Sequence, residues 1–235
     1  MKQIERMSFF AKQDDKYIYA ELSALLELAK TKCPHFVDLY DVWLTTHNIY
    51  FIMQYCNGED LENLIKKSYP GLDEMLVKKY LKEFCKGYKI LIEKKIIHRD
   101  IKPANLMIHD DILKIGDFGM SRIVENPPLS PKFSITKLGT HYFDSPQILR
   151  EDTHYTNKTD VWSFGVTLYL MCYGQRPYKG ETEFAIYKEI NKECIDFKSK
   201  KVDPILVELM KKMLKIKEFD RISWEDIFKH PYINI

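Results

Sequence analysis

The stretch His98-Arg99-Asp100-Ile101-Lys102-Pro103-Ala104-Asn105 puts four chemically different side chains within eight residues. A repeating helical face does not do this. Upstream, Val77 to Lys95 carries apolar residues at helical spacing (Tyr80, Leu81, Phe84, Tyr88, Leu91, Ile92), and downstream Leu106-Met107-Ile108 reads as a short strand. The stretch between them is a loop. Asp100 can accept a proton from a hydroxyl, Lys102 can neutralise negative charge on a transferring group, and Asn105 offers a carbonyl oxygen to a divalent cation. Twelve residues past Asn105, Asp117-Phe118-Gly119 supplies a second carboxylate, the oxygen ligand that a hard cation such as magnesium takes.

Working outward, the composition describes a globular chain. Its 235 residues are 45% hydrophobic, and 36 Lys and Arg against 34 Asp and Glu leave a formal charge of +2. The basic residues fall in scattered pairs (Lys78-Lys79, Lys94-Lys95, Lys211-Lys212), which read as solvated faces rather than a nucleic-acid stripe or a polybasic membrane anchor. Five cysteines, at 33, 56, 85, 172 and 194, have neither CxxC nor Cys/His ligand spacing, so no disulfide framework or zinc site is expected. A reducing compartment fits, the cytoplasm first and the nucleus as the alternative. Residues 1 to 6 are charged with no apolar core behind them, so no secretory signal is read. The apolar run from Phe164 to Tyr173 is too short for a bilayer and reads as a buried helix.

The loop at 98–105 resembles the catalytic loop of protein kinases, and Asp117-Phe118-Gly119 resembles their metal-binding motif, in the family's order and spacing. The resemblance implies an α+β, bilobal kinase-like fold: a partial small β lobe over 1–53 with one long helix, a hinge at 54–57, and a mainly helical large lobe over 58–235. It implies ATP between the lobes, magnesium on Asn105 and Asp117, Asp100 orienting a substrate hydroxyl and Lys102 stabilising phosphoryl charge. Lys102 two residues after Asp100, and Thr140 after Gly139, resemble the serine/threonine class. The partners implied are proteins carrying Ser or Thr, with neither nucleic acid nor membrane among them.

Carried along the chain, the resemblance assigns further positions. Residues 1 to 6 look like a strand end, and Asp15 to Lys30 a helix with Ile18, Leu22, Leu25, Leu26 and Ala29 facing inward. Lys2 and Glu21 are placed to match the family's phosphate-holding ion pair, the alternative being a frayed lysine and a solvated glutamate. Phe36 to Trp43 and Ile49 to Tyr55 read as a hairpin. Met53 is placed at the back of the adenine pocket, compatibly with a core role, and the backbone of Gln54, Tyr55 and Cys56 would hydrogen-bond the purine. Asp60 stands where relatives contact ribose or a basic substrate residue, and helix capping explains it equally well.

After Asp117 the chain resembles an activation segment, with Arg99 as a phosphate-capturing residue and Thr136 as the expected phosphate carrier, Ser134 and Ser130 being alternatives. Thr140 resembles the substrate-binding turn. Ser145-Pro146-Gln147 departs from the family's Ala-Pro-Glu. Gln147 can still accept a hydrogen bond from Arg221, so a weakened anchor is expected. Asp160 is expected to hold the catalytic loop by accepting backbone N–H bonds, with a plain N-cap as the competing reading. Phe184 to Asn191, Val207 to Leu214 and a last helix from Asp220 to about His230 complete the large lobe.

The first glycine is Gly58. The family's glycine-rich loop and its two strands have no counterpart before Lys2, for which a missing N-terminal segment is the simplest expectation. Two rivals to an active kinase stay open: a catalytically silent kinase-like scaffold, and a fragment whose activity needs residues not in the chain. Acids that favour basic substrates are represented by Glu59 and Asp60 alone, with Ala104 and Leu170 at other such positions, so strong selection for basic substrates is not expected.

Overall fold

The computed structural model describes residues 2–5, 15–46, 48–124, 141–150, 152 and 156–234. Three antiparallel strands, β1 (Lys2–Glu5), β2 (Leu39–Leu44) and β3 (Asn48–Met53), form a sheet in the order β1-β3-β2. Lys2 lies opposite Phe51 and Leu44 opposite Ile49. Alternation along β3 buries Ile49 and Phe51, the face on which helix α1 (Asp15–Ala29) supplies its own apolar side.

The buried seam of α1 is Ile18, Glu21, Ala24, Leu25 and Leu28. Leu26 is half exposed and Ala29 exposed, which corrects their expected inward placement. Leu26 is five residues on from Glu21, about 140° round at 3.6 residues per turn, so both cannot face the sheet. The expected first strand also begins late. Phe36 bridges Ile115 rather than the hairpin, and β2 starts at Leu39 with a bulge before Asp41.

The large lobe is built on two helices. In α3 (Glu74–Glu93), capped by the Asp73 carboxylate accepting from Leu76 N, the buried positions are Val77, Tyr80, Leu81, Phe84, Cys85, Gly87, Tyr88 and Leu91. This stripe lies against α5 (Lys158–Tyr173), which is buried at every residue except Lys158 and Leu170. Phe84 stacks on Phe164 with ring centroids 3.6 Å apart, and Tyr88 on Trp224 at 3.7 Å. Helices α2 (Leu61–Lys67), α4 (Pro146–Leu149), α6 (Glu183–Ile190), α7 (Pro204–Met213) and α8 (Trp224–Phe228) pack around this pair. The last helix begins at Trp224, with Ser223 as its cap, rather than at Asp220.

One lysine ties the far end of α5 to the loop ahead of α3. Lys200 Nζ donates to the carbonyls of Cys172 at 3.0 Å, Leu72 at 3.3 Å and Pro70 at 3.4 Å. Among the described residues no helix is long and apolar enough to cross a membrane.

Candidate active site

Two short ribbons hold the loop at 98–105. Strand β4 (Ile96–Ile97) pairs with β7 (Arg122–Ile123), and β5 (Leu106–His109) pairs with β6 (Ile112–Ile115), so the segments 98–105 and 116–121 lie side by side. Gly116 N donates to the Asn105 carbonyl at 2.9 Å. His98 Nε2 is 3.0 Å from the Gly116 carbonyl, and its Nδ1 accepts from Asp100 N at 3.3 Å. A carbonyl can only accept, so the proton belongs on Nε2. Phe118 is fully buried, against the rings of His98 (4.9 Å) and Phe36 (6.0 Å). Asp117 beside it is exposed. Burial of the phenyl ring thus fixes where the neighbouring carboxylate emerges.

Both segments carry backbone strain. Arg99 has φ 66 and Asp117 φ 54, left-handed values that residues other than glycine adopt rarely and that persist only where surrounding bonds hold them. For Arg99 the holding group is Asp160. Its fully buried carboxylate accepts from His98 N and Arg99 N, each at 2.8 Å, and from the Tyr88 hydroxyl at 2.6 Å. Burial, helped by the Asp160 charge, pushes the Tyr88 phenol well above its usual range, so it remains a donor. Asp160 lies in the first turn of α5 and the N-cap is Asn157, which removes the plain cap reading. Tyr88 was legible only as one more aromatic on a helical stripe.

Asp100 is aimed by its neighbours. Its Oδ2 accepts from Lys102 Nζ and Asn105 Nδ2, both at 2.9 Å, and its carbonyl accepts from the same Asn105 Nδ2 at 2.8 Å. With the Asn105 amide nitrogen turned to Asp100, Oδ1 is the atom left for a cation. Asn105 and Asp117 are the kind of hard oxygen donors that magnesium takes together with substrate phosphates, so the residues fit such an ion. Among the described residues no cluster of three or more His, Cys, Asp or Glu could hold a metal unaided.

The hinge positions divide. Met53 ends β3 opposite Leu39 and packs on the core. Gln54 N donates to the Asp38 carbonyl at 2.8 Å, so of its two backbone groups the carbonyl is the one through which the expected purine contact would be made. Tyr55 is 82% exposed and Cys56 is buried, its thiol pushed up by burial. At Asp60 capping is what is seen, with one oxygen accepting from Asn63 N and the other from Asn63 Nδ2, both at 2.8 Å. Glu21 is 2% exposed, not a solvated glutamate. Lys2 lies in β1, its side chain outside the described residues, as are Thr136, Thr140, Ser130 and Ser134. The Arg99 guanidinium, half-buried, donates to no described residue.

Gln147 meets Arg221. The arginine, 1% exposed, donates through Nη2 to Gln147 Oε1 at 2.9 Å, through Nη1 to the Lys158 carbonyl at 2.7 Å and through Nε to the Lys215 carbonyl at 3.0 Å. Gln147 Nε2 in turn donates to the Ile216 carbonyl at 2.8 Å. Burial pulls the guanidinium down to about 10, partly opposed by Glu218, so a cation remains there at neutral pH. Beside the catalytic loop a cleft of about 1000 Å³ opens, reaching Lys102 and Ala104.

A loop presenting an aimed carboxylate, a lysine and an amide oxygen, next to a second carboxylate on a strained turn, has the chemistry that phosphoryl transfer calls for. The chain belongs to the protein kinase domain family, whose profile matches residues 1–233. It is 33% identical over 219 residues to the serine/threonine-protein kinase atg1 of Dictyostelium discoideum, covering 92% of this chain and 32% of that protein. It is 31% identical to the serine/threonine-protein kinase ATG1 of Saccharomyces cerevisiae, covering 88% and 28%, and 28% identical to the SNF1-like protein kinase ssp2 of Schizosaccharomyces pombe, covering 86% and 34%. The chain therefore spans about a third of the length of the curated relatives it matches.

Proposed function

We propose that this chain transfers the γ-phosphoryl group of ATP to serine and threonine hydroxyls of proteins. The observation that carries the reading is the Asp100 carboxylate, fixed by Lys102 and Asn105 on a loop whose backbone is tied to Asp160. A hydroxyl approaching Asp100 can hand its proton to the carboxylate as its oxygen bonds to phosphorus and the bond from phosphorus to the leaving oxygen breaks. Lys102, already within 2.9 Å of Asp100, places a cation where negative charge gathers. Magnesium on Asn105 and Asp117 would supply further charge neutralisation at the phosphates. At the hinge the Gln54 carbonyl would meet a purine edge, its N–H being taken by the Asp38 carbonyl. Two of the relatives named above, those of Dictyostelium discoideum and Saccharomyces cerevisiae, are serine/threonine-protein kinases, which supports the substrate class.

The first test is a thermal-shift titration with ATP, with and without magnesium, alongside Asp117→Ala. Magnesium-dependent stabilisation that disappears in the variant is expected; at one hundred times Kd a ligand stabilises by about 2.7 kcal/mol. In a protein-substrate assay Asp100→Ala should lose roughly 10²–10⁴-fold in rate while melting normally. A folded chain with no ATP shift and no transfer would replace the enzyme reading with the silent scaffold.

A further inference from the structure

The cleft beside the catalytic loop contains a cation with no counter-charge among the described residues. Arg176 follows the helix-ending Gly174 (φ 66), and its guanidinium carbon lies 3.2 Å from the centroid of the Tyr142 ring. That contact uses one flat face of the guanidinium. Its N–H donors lie around the edge, and none donates to a described carboxylate or carbonyl. Arg176 is half-buried, so it is only partly screened by water.

The other linings do not answer this charge. Of the cleft's acids, Glu62 is bridged to Lys66 at 2.8 Å, and Glu181 is exposed, as is Lys179 in the same lining. Ala104 and Leu170 carry no charge. Counting Lys66, Lys102, Arg176 and Lys179 against Glu62 and Glu181, the walls are net positive. The cleft runs up to Lys102, the residue in contact with Asp100, so a peptide delivering a hydroxyl to Asp100 has this surface beside it.

We propose that Arg176 is a specificity-determining residue that reads an anionic side chain, carboxylate or phosphate, of the substrate peptide lying in this cleft. The proposal rests on the kinase reading above. Stacking on Tyr142 holds the planar fork in place before the ligand arrives, so little side-chain entropy is lost on binding, and the fork matches both anions bidentately.

The experiment uses peptides with one serine among alanines, in which each flanking position carries in turn Ala, Glu, phosphoserine or Lys. kcat/KM is measured for the wild type, Arg176→Gln and Arg176→Lys, each checked for an unchanged melting temperature. Expected is a position where the anionic peptides exceed the alanine peptide by about tenfold, chiefly through KM, one tenfold step being 1.4 kcal/mol. In Arg176→Gln that ratio should fall to about one; in Arg176→Lys part should survive. Phosphoserine against glutamate tells a phosphate reader from a carboxylate reader. A flat profile, a preference for Lys, or an anionic preference that persists in Arg176→Gln would overturn the proposal. Fluorescence anisotropy of the same labelled peptides without ATP separates the two readings. Anionic binding lost in Arg176→Gln, in a chain that transfers no phosphoryl group, would end the kinase reading and the specificity role with it, leaving Arg176 as an anion contact only.

Discussion

Asp160→Asn replaces one carboxylate oxygen by NH2 with almost no change in volume, so its cost can be worked from hydrogen bonds alone. In the wild type one oxygen accepts from His98 N and the Tyr88 hydroxyl and the other from Arg99 N. An asparagine can keep its carbonyl toward the first pair, at which point its NH2 confronts the Arg99 N–H. Flipping it loses two acceptors instead of one. In the better orientation two charge-assisted bonds become neutral ones, at about 1 kcal/mol each, and one buried N–H is orphaned at about 1–3 kcal/mol, a total near 3–5 kcal/mol. For a chain of this size that is a fall in Tm of about 6–20 °C. Arg99 would also lose what holds it at φ 66, so kcat should fall in protein that is still folded at the assay temperature. Calorimetry paired with steady-state kinetics reads both. A Tm within 2 °C of wild type, or full kcat in the variant, would refute the claim that this carboxylate holds the loop.

Restoring the family's acid by Gln147→Glu should stabilise by about 1 kcal/mol at pH 7, since a carboxylate binds the buried Arg221 cation more strongly than the amide does, less the bond now given to Ile216. Beside that cation the new carboxyl titrates below its unfolded value of about 4.3, so the gain is full above that pH and lost as pH falls through the folded value. Destabilisation at pH 7 would mean that desolvating a second charge outweighs the pairing. Lys200→Met leaves the Cys172, Leu72 and Pro70 carbonyls without their shared donor, and urea unfolding should show a loss of about 1–3 kcal/mol. The exposed neighbour Lys201→Met should stay within about 0.5 kcal/mol; equal effects at both positions would contradict the bracket.

The parts of the site that were legible in the chain are those that short spacing dictates. Asp100, Lys102 and Asn105 share one turn of backbone, so a loop there brings them together however it is oriented, and Asp160 was readable because its position in the family has one structural use. What was not legible depends on distant geometry. The left-handed backbone of Arg99 and Asp117 follows from bonds to residues far along the chain, and Tyr88 reaches Asp160 across 72 positions. Asp60 admitted two readings, of which capping is the one seen, both its oxygens accepting from Asn63. The seam of α1 was misplaced because Leu22, Leu25, Leu26 and Ala29 offer more apolar positions than one face can bury, and the sheet selects Ala24 and Leu28. Gln54 shows the same limit, since whether its N–H is free depends on where Asp38 runs.

Helix α5 has almost no surface, and the catalytic loop is bonded directly to its first turn. Amide hydrogens inside such a helix exchange with solvent only when the whole domain opens, whereas loops ordinarily exchange through small local openings. Here the His98 and Arg99 amides end on a carboxylate that cannot move without α5. Their deuterium uptake should therefore follow the slowest class in the molecule, behaving in time as part of the helix although they are loop in shape.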